Sequence, residues 1–349
     1  LEAEGSLFTS TSDTESFLHR IMKSKAETIV EKVQEAAVGV EGAYSLLLLY
    51  GEGIAAIRDP HGFRPLFLGR KGETFYFASE TCAFDILGAE CVREVAPGEI
   101  LHITRHGIER YLLPLPVDER MCSFEPIYFS RPDGLFKGRS IHSYRLEMGA
   151  ALAAEHPVEA DLVSTVPDSS NSAAIGYARA SGIPLDLGLI RSHYTGRTFI
   201  APYQALRDFK VRKKFNVIAD VVRGKRGIVV DDSIVRGTTS RKIVQMFKER
   251  GAKEVHFRIS SPAVRFPCFF GIDMPDRNEF LANRAAPEKL AEYLGADSIG
   301  YLSAASLTRI VGSKTCQACF TGEYPVDVKK HCHLIEKNES REEEDHVHL

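Results

Sequence analysis

Apolar and polar positions follow two different periods along this chain of 349 residues. From Thr14 to Ala37 the apolar residues Phe17, Ile21, Ile29, Val33, Ala36 and Ala37 recur at helical spacing, and Asp13 stands where a helix N-cap belongs. Short runs of strand length follow: AYSLLLLY, GIAAIRDP, PLFLG, TFYFAS and EILHIT. The glycine-containing turns KGET and RHGI between them predict antiparallel pairing. LPLP at 113–116 and the polar VDER after it read as a linker.

From residue 121 the pattern becomes an alternation. ADLVSTV, IPLDLGLI, RGIVVDD and EVHFRIS read as strands; NSAAIGYARASG, TTSRKIVQMFKERG and PEKLAEYLG read as helices. Such alternation predicts a parallel, doubly wound sheet with helices on both faces. The expected fold class is α/β: a partial α+β domain over 1–120, a parallel-sheet domain over 121–328, and a polar tail over 329–349. That tail ends EKNESREEEDHVHL and is too polar to bury a core, so disorder is expected there.

Composition narrows the picture. The chain is 44% hydrophobic and 26% charged with a net charge of −3, so no bulk electrostatic case exists for nucleic acid or membrane as partner. No apolar run reaches the roughly 20 residues that span a bilayer. The opening LEAEGSLFTSTSDTES carries neither a Met nor a signal-peptide pattern and reads as the interior of a longer chain, so an N-terminal truncation is expected. Seven cysteines, an odd number at wide spacing, fit a reduced cytoplasmic protein better than a disulfide framework.

The candidate chemistry centres on GIVVDDSIVRGTTS at 227–240, where a strand-like run ends in two adjacent carboxylates. In an open parallel sheet, ligands bind beyond the carboxyl ends of the strands. Gly237, Thr238 and Thr239 then open a helix, whose free N–H groups, positive dipole end and hydroxyls cradle a phosphate. Asp231 and Asp232 would repel that phosphate. They suit sugar hydroxyls or a divalent cation instead, and the combination describes a ribose 5-phosphate derivative. A capping aspartate beside a surface aspartate is the simpler alternative for an isolated pair, but the whole string is more specific than that. Two further stretches have ordinary alternatives of their own. Asp168 and Ser169 could form a plain N-cap turn, and the polar segment 191–204 could be a solvated surface loop.

VVDDSIVRGTTS resembles the phosphoribosylpyrophosphate (PRPP) motif of type I phosphoribosyltransferases. MCSFEPIYFSRPD, VPDSSNSAAIGYA, GLIRSHYTGRTFI, FTSTSDTE, RDPHGFRPL, ASETCAFD and ACFTGEYP extend the likeness to the glutamine PRPP amidotransferase family, over nearly the whole chain to Val328. The fold that this implies is an N-terminal-nucleophile glutaminase domain, here partial, followed by a type I phosphoribosyltransferase domain. The implied reaction is formation of 5-phosphoribosylamine from PRPP and glutamine-derived ammonia, the committed step of purine synthesis.

By position, the resemblance gives PRPP contacts to Asp168, Ser170, Asp231, Asp232, Ser233, Arg236, Gly237, Thr238, Thr239 and Arg197, the last within a loop that closes over the substrate. Ser169, Asp231 and Asp232 would hold Mg2+, and Asp13 would bind the α-amino group of glutamine. The glutaminase nucleophile, an N-terminal cysteine, has no counterpart in the sequence, so ammonia-dependent transfer alone is expected, with an unpaired sheet edge where partner strands would lie. Cys122, Cys268, Cys316 and Cys319 match the four ligands of a 4Fe–4S cluster in the family's iron–sulfur class. From the residues alone Cys316-Gln-Ala-Cys319 could be zinc-binding, redox-active or incidental, and a set of four cysteines suits zinc as well as iron–sulfur. The resemblance also implies purine nucleotides as feedback inhibitors and a homo-oligomer. A salvage phosphoribosyltransferase and a PRPP-binding regulator are the competing readings.

Overall fold

The structure, a computed structural model, describes residues 1–192, 214–274 and 277–328. Arg197, most of the 191–204 segment and the 329–349 tail lie outside the described residues.

The predicted helix at the start is two helices, Asp13–Lys23 and Ile29–Ala37. Thr28 breaks the run by acting as an N-cap: its hydroxyl accepts the Glu31 N–H while the Glu31 carboxylate accepts the Thr28 N–H, a reciprocal capping box. Periodicity is blind to such a break because both helices bury the same face. The N-cap of the first helix is Ser12, and Asp13 is its first helical residue, exposed.

The first half holds the strands β1 (Ser45–Tyr50), β2 (Gly53–Arg58), β3 (Phe67–Lys71), β4 (Thr74–Ala78), β5 (Glu90–Glu94), β6 (Glu99–Thr104) and β7 (Gly107–Leu112). They form two antiparallel sheets, ordered β1-β2-β6-β7 and β4-β3-β5. The turns KGET and RHGI join β3 to β4 and β6 to β7, as predicted. The charged strands β5 and β7 escape prediction because their residues are mostly exposed. The helix pair covers one face of the first sheet through Phe17, Ile21, Val33, Ala55, Ile57 and Ile100. Ala56, Leu66, Leu68, Val95 and Leu101 fill the space between the two sheets. β1 is the outermost strand of its sheet, and Leu47 and Leu49 point outward from it, 53% and 78% exposed.

The second half holds β8 (Met121–Cys122), β9 (Leu135–Phe136), β10 (Arg139–Ser140), β11 (Leu162–Thr165), β12 (Leu189–Arg191), β13 (Phe215–Val217), β14 (Arg226–Asp231), β15 (Glu254–Ile259), β16 (Ser298–Tyr301) and β17 (Thr315–Cys316). β11, β14, β15 and β16 form the predicted parallel sheet in that order. Along β14, Ile228 and Val230 face one core with the helices Ile141–Glu155, Asn171–Ser181 and Ala304–Val311. Val229 faces the other with Thr238–Glu249 and Pro287–Leu294. A strand buried on both faces reads as a continuous apolar run, which is why GIVV is legible. The helix Ile141–Glu155 is absent from the sequence reading: Arg145 lies on its buried face and alanines on its outer one, so it lacks an amphipathic signature. IPLDLGLI shrinks to the three-residue β12 with one bridge at Leu185: the Asp186 N–H still donates to the Val163 carbonyl, but the Asp186 carboxylate and carbonyl then accept the Leu187 and Gly188 N–H groups and turn the chain away.

The helices Ile141–Glu155 and Asn171–Ser181 cross at glycines. A Cβ on Gly149 would overlap the Ala173 carbonyl oxygen, and one on Gly176 would overlap the Leu146 carbonyl oxygen. Gly→Ala inside a helix ordinarily stabilises by reducing unfolded-state freedom. Here the backbone approach reverses the sign. Gly149→Ala should destabilise the chain by about 1–3 kcal/mol through overpacking, measured by urea unfolding; a gain in stability would show that the helices do not meet this closely.

Candidate active site

β14 delivers Asp231 as its last residue, with Asp232 next, and both are buried at 8% and 6% exposure. Burial, then the adjacent Asp232 charge, pushes the Asp231 carboxyl well above the ordinary carboxylate range. Burial also raises Asp232, against opposing bonds from the Ser169 and Ser233 hydroxyls and the positive charge of Arg145. The Ser170 hydroxyl donates to Asp231 Oδ1 at 3.2 Å, and the Asp232 N–H donates to the same oxygen at 3.0 Å. The Ser233 hydroxyl donates to Asp232 Oδ1 at 2.7 Å, and that of Ser169 to Asp232 Oδ2.

Ser169 and Ser170 belong to the loop that follows β11, the strand beside β14. The Val166 N–H donates to the Val230 carbonyl at 2.9 Å and extends the pairing into the loop, whose Pro167–Asp168 peptide is cis. Asp168 is exposed and accepts from Arg191 Nη1 at 2.8 Å. On the other side of the aspartates, Gly237 caps the helix Thr238–Glu249 with φ of 78°, and a Cβ there would stand 2.7 Å from the Leu281 side chain. Both constraints select glycine. Thr238 and Thr239 are exposed in the first turn, whose N–H groups have no partner within the helix. Arg236 turns toward Glu279, with Nε donating to Oε2 at 2.6 Å, so its charge is already matched.

These residues open on one cavity of about 810 Å³, lined among others by Asp168, Ser169, Asp231, Asp232, Gly237 and Thr239. Arg145, Lys214 and Arg191 bring positive charge to the same walls. An acidic floor flanked by a helix N-terminus and cations can take a polyanion with hydroxyl groups. The two buried carboxylates also suit a divalent cation, which would relieve their mutual repulsion.

The four matched cysteines come near one another at the second half's first core, where Cys122 also feels the charges of Glu125 and Arg64. Cys122 and Cys316 are partners across the parallel β8–β17 pair. The Cys319 carbonyl accepts the Arg265 and Phe266 N–H groups at 2.9 and 3.1 Å, drawing in the segment that carries Cys268. The Phe270 N–H donates to Cys268 Sγ at 3.3 Å. Burial pushes the thiols of Cys122 and Cys316 up to about 12 and about 11, and raises Cys319 as well; negative charge on the neighbouring cysteines adds to each. Thiolates so placed repel one another unless a positive centre lies among them. Among the described residues no group of three His, Cys, Asp or Glu is gathered tightly enough to hold a metal ion. The donor chemistry, four sulfurs from three chain segments, suits zinc and an iron–sulfur cluster alike.

The glutamine amidotransferase domain family matches residues 1–85. Amidophosphoribosyltransferase of Bacillus subtilis is 47% identical over 335 residues, covering 94% of this chain and 70% of the relative. Amidophosphoribosyltransferase 1, chloroplastic, of Arabidopsis thaliana is 47% identical over 330 residues, 93% of this chain and 58% of the relative. The solved glutamine PRPP amidotransferase from B. subtilis, complexed with ADP and GMP, superposes with a TM-score of 0.89 at 46% identity, over 94% of this chain and 73% of that one. The chain belongs to the amidophosphoribosyltransferase family. It spans under three fifths of the first plant relatives, 58% and 59% of their lengths.

The α/β fold expected from the alternation is therefore that of the amidophosphoribosyltransferase family. No described helix is long and apolar enough to cross a membrane. Three features of the site were missed in the sequence. Arg145, Lys214 and the Glu125–Phe129 turn reach the cavity or its walls from distant positions. Only Arg145 left a trace, as a lone cation in an apolar helix.

Asp231→Asn tests the electrostatic reading. Without divalent cations it should stabilise the chain by about 0.5–2 kcal/mol at neutral pH, because the amide keeps both accepted hydrogen bonds and removes a buried like charge. Differential scanning calorimetry checks this; a fall in stability would mean that the carboxylates are not in conflict.

Proposed function

We propose that this chain carries the ribose-transfer chemistry of its family: 5-phosphoribosylamine and pyrophosphate form from PRPP and ammonia, with glutamine as the ammonia source in the complete reaction. This is the committed step of purine synthesis. The observation that carries the reading is the convergence of Asp231, Asp232, the 166–170 loop and the Gly237 helix terminus on one cavity.

Each part has a role. The N–H groups and hydroxyls of Gly237, Thr238 and Thr239 receive the 5-phosphate. Asp231 and Asp232 accept from the ribose hydroxyls, with Ser233 holding Asp232 in place. The 166–170 loop, with Asp168 and Ser170, faces the pyrophosphate, and Arg236 lies at the rim of the phosphate cradle. No protein nucleophile is needed. Charge develops on the leaving pyrophosphate and on the ribose, so the residues act by orientation, by charge and by excluding water that competes with ammonia. Arg197 and the closing loop are part of this proposal and lie outside the described residues.

Mg2+ would be held by Ser169, Asp231 and Asp232 and would supply positive charge to the pyrophosphate. A 4Fe–4S cluster would be held by Cys122, Cys268, Cys316 and Cys319 and would serve as a structural tie between the start and the end of the second half. Asp13, exposed in the first turn of its helix, is the proposed contact for the glutamine α-amino group. Purine nucleotides as feedback ligands are supported by the ADP and GMP bound to the B. subtilis relative. Homo-oligomerisation and a cytoplasmic location complete the reading, the latter supported by the cysteines among the described residues, which form no disulfide.

Two experiments test it. With PRPP, Mg2+ and ammonium, the chain should release pyrophosphate at a rate at least tenfold above that of Asp232→Asn, followed by a coupled phosphate assay. Turnover with adenine or hypoxanthine in place of ammonium would instead indicate a salvage enzyme, and tight PRPP binding without turnover a regulator. For the cluster, protein purified anaerobically should be brown and yield about four iron atoms per chain. Cys268→Ser should lose both colour and iron. A colourless protein containing one zinc would overturn iron–sulfur.

A further inference from the structure

Arg145 lies within the helix Ile141–Glu155 and is 2% exposed, yet among the described residues no carboxylate bonds its guanidinium. Its N–H groups go to three carbonyls on two segments, the 126–130 turn and the loop after β11. Nε donates to Pro126 at 2.8 Å, Nη2 to Ser130 at 2.8 Å, and Nη1 to Ser169 at 3.3 Å. The last of these is the residue whose hydroxyl bonds Asp232. Arg145 also lines the cavity, and its charge faces Asp232 and Glu80.

The contacts continue to the first half of the molecule. The Ser130 hydroxyl donates to Glu125 Oε2 at 2.9 Å, and Glu125, 4% exposed, pairs with Arg64 Nη1 at 3.2 Å. The Arg64 guanidinium also lies over the Phe129 ring, 4.8 Å from its centroid. Arg64 sits in the loop between β2 and β3, where its carbonyl accepts from Arg58 Nε at 2.9 Å. Arg58 is itself 2% exposed and donates from Nη2 to the Gly62 carbonyl at 2.8 Å, so the loop that presents Arg64 is fixed from within.

Resting on the proposed reaction, we infer that Arg145 is a positioning residue: its buried guanidinium fixes the Ser169 peptide against Asp232, and the Arg64–Glu125 pair supports it from the first half. A planar fork is needed to reach carbonyls in three directions, and a lysine ammonium cannot span them. A guanidinium serving only to fill the core would not need an acceptor in the loop that faces the cavity.

The test uses the 349-residue chain and Mg2+–PRPP as probe, with affinity read by isothermal titration calorimetry and folding by circular dichroism. Arg145→Lys should weaken PRPP binding about tenfold or more, and Glu125→Gln and Arg64→Met about threefold each. Arg64→Met combined with Arg145→Lys should cost less than the product of the two single effects, because both act on one network. If wild type does not bind PRPP, the proposed function fails and not this assignment. If wild type binds and a folded Arg145→Lys binds equally well, Arg145 is merely structural. Should Arg145→Lys not fold, Glu125→Gln and Arg64→Met decide: unchanged affinity in both, while folded, overturns the inference.

Discussion

Two carboxylates held side by side at the end of a buried strand are the constraint around which the second half is arranged. Asp231 and Asp232 are almost wholly withdrawn from bulk water, and each makes the other harder to ionise. A chain that keeps such a pair must surround it with donors. Three serine hydroxyls and one backbone N–H are drawn to it, from the β11 loop and from the residues just after β14. The parallel pairing of β11 with β14 makes this possible, because it brings both strand ends to the same edge. Helix dipole, loop and acidic pair thus meet at one place as a consequence of topology.

The parts of this arrangement that could be read in the sequence are those in which local chemistry and fold agree. GIVVDD declares itself because a strand apolar on both faces cannot end in two carboxylates without a reason. Gly237 declares itself because a glycine ahead of two threonines and an amphipathic run is a helix start that a ligand can approach. The antiparallel hairpins of the first half were legible for the same reason, their turns being marked by glycine. What escaped was whatever depends on tertiary company. β5 and β7 are charged strands whose partners alone make them strands. The break at Thr28 is set by two side chains reaching back to the backbone, and no periodicity registers it. Asp13 matched the residue preference of an N-cap but lies one position too late, since Ser12 takes that place.

Arg145 and Glu125 show the same limit at the site itself. Each is a charged residue in an apolar stretch, and sequence reading passes over such residues as noise. Their meaning appears only when Pro126, Ser130 and Ser169 are seen to offer carbonyls to one guanidinium. Burial of a charge is costly enough that it persists only where its bonds are made in full. A buried arginine bonded to two otherwise separate segments therefore marks a junction more reliably than any apolar contact nearby.

The cysteines place a second junction at the same core, next to the first along the chain. β8 and β17 come from the two ends of the second half and pair over two residues each, too short a ladder to hold by itself. Thiols from β8, β17, the following helix and the Cys268 segment crowd that point, and those of Cys122, Cys316 and Cys319 are raised by burial and by neighbouring cysteines. Under the proposed function, a positive centre bound by these sulfurs would offset the repulsion of their thiolates and close the seam. The β8 strand that carries Cys122 leads directly into the Glu125–Phe129 turn, so whatever fixes the cysteines also fixes the turn that Arg145 and Arg64 grip. The two junctions are thereby mechanically one, with the edge of the sheet that carries Asp231 and Asp232 beside them.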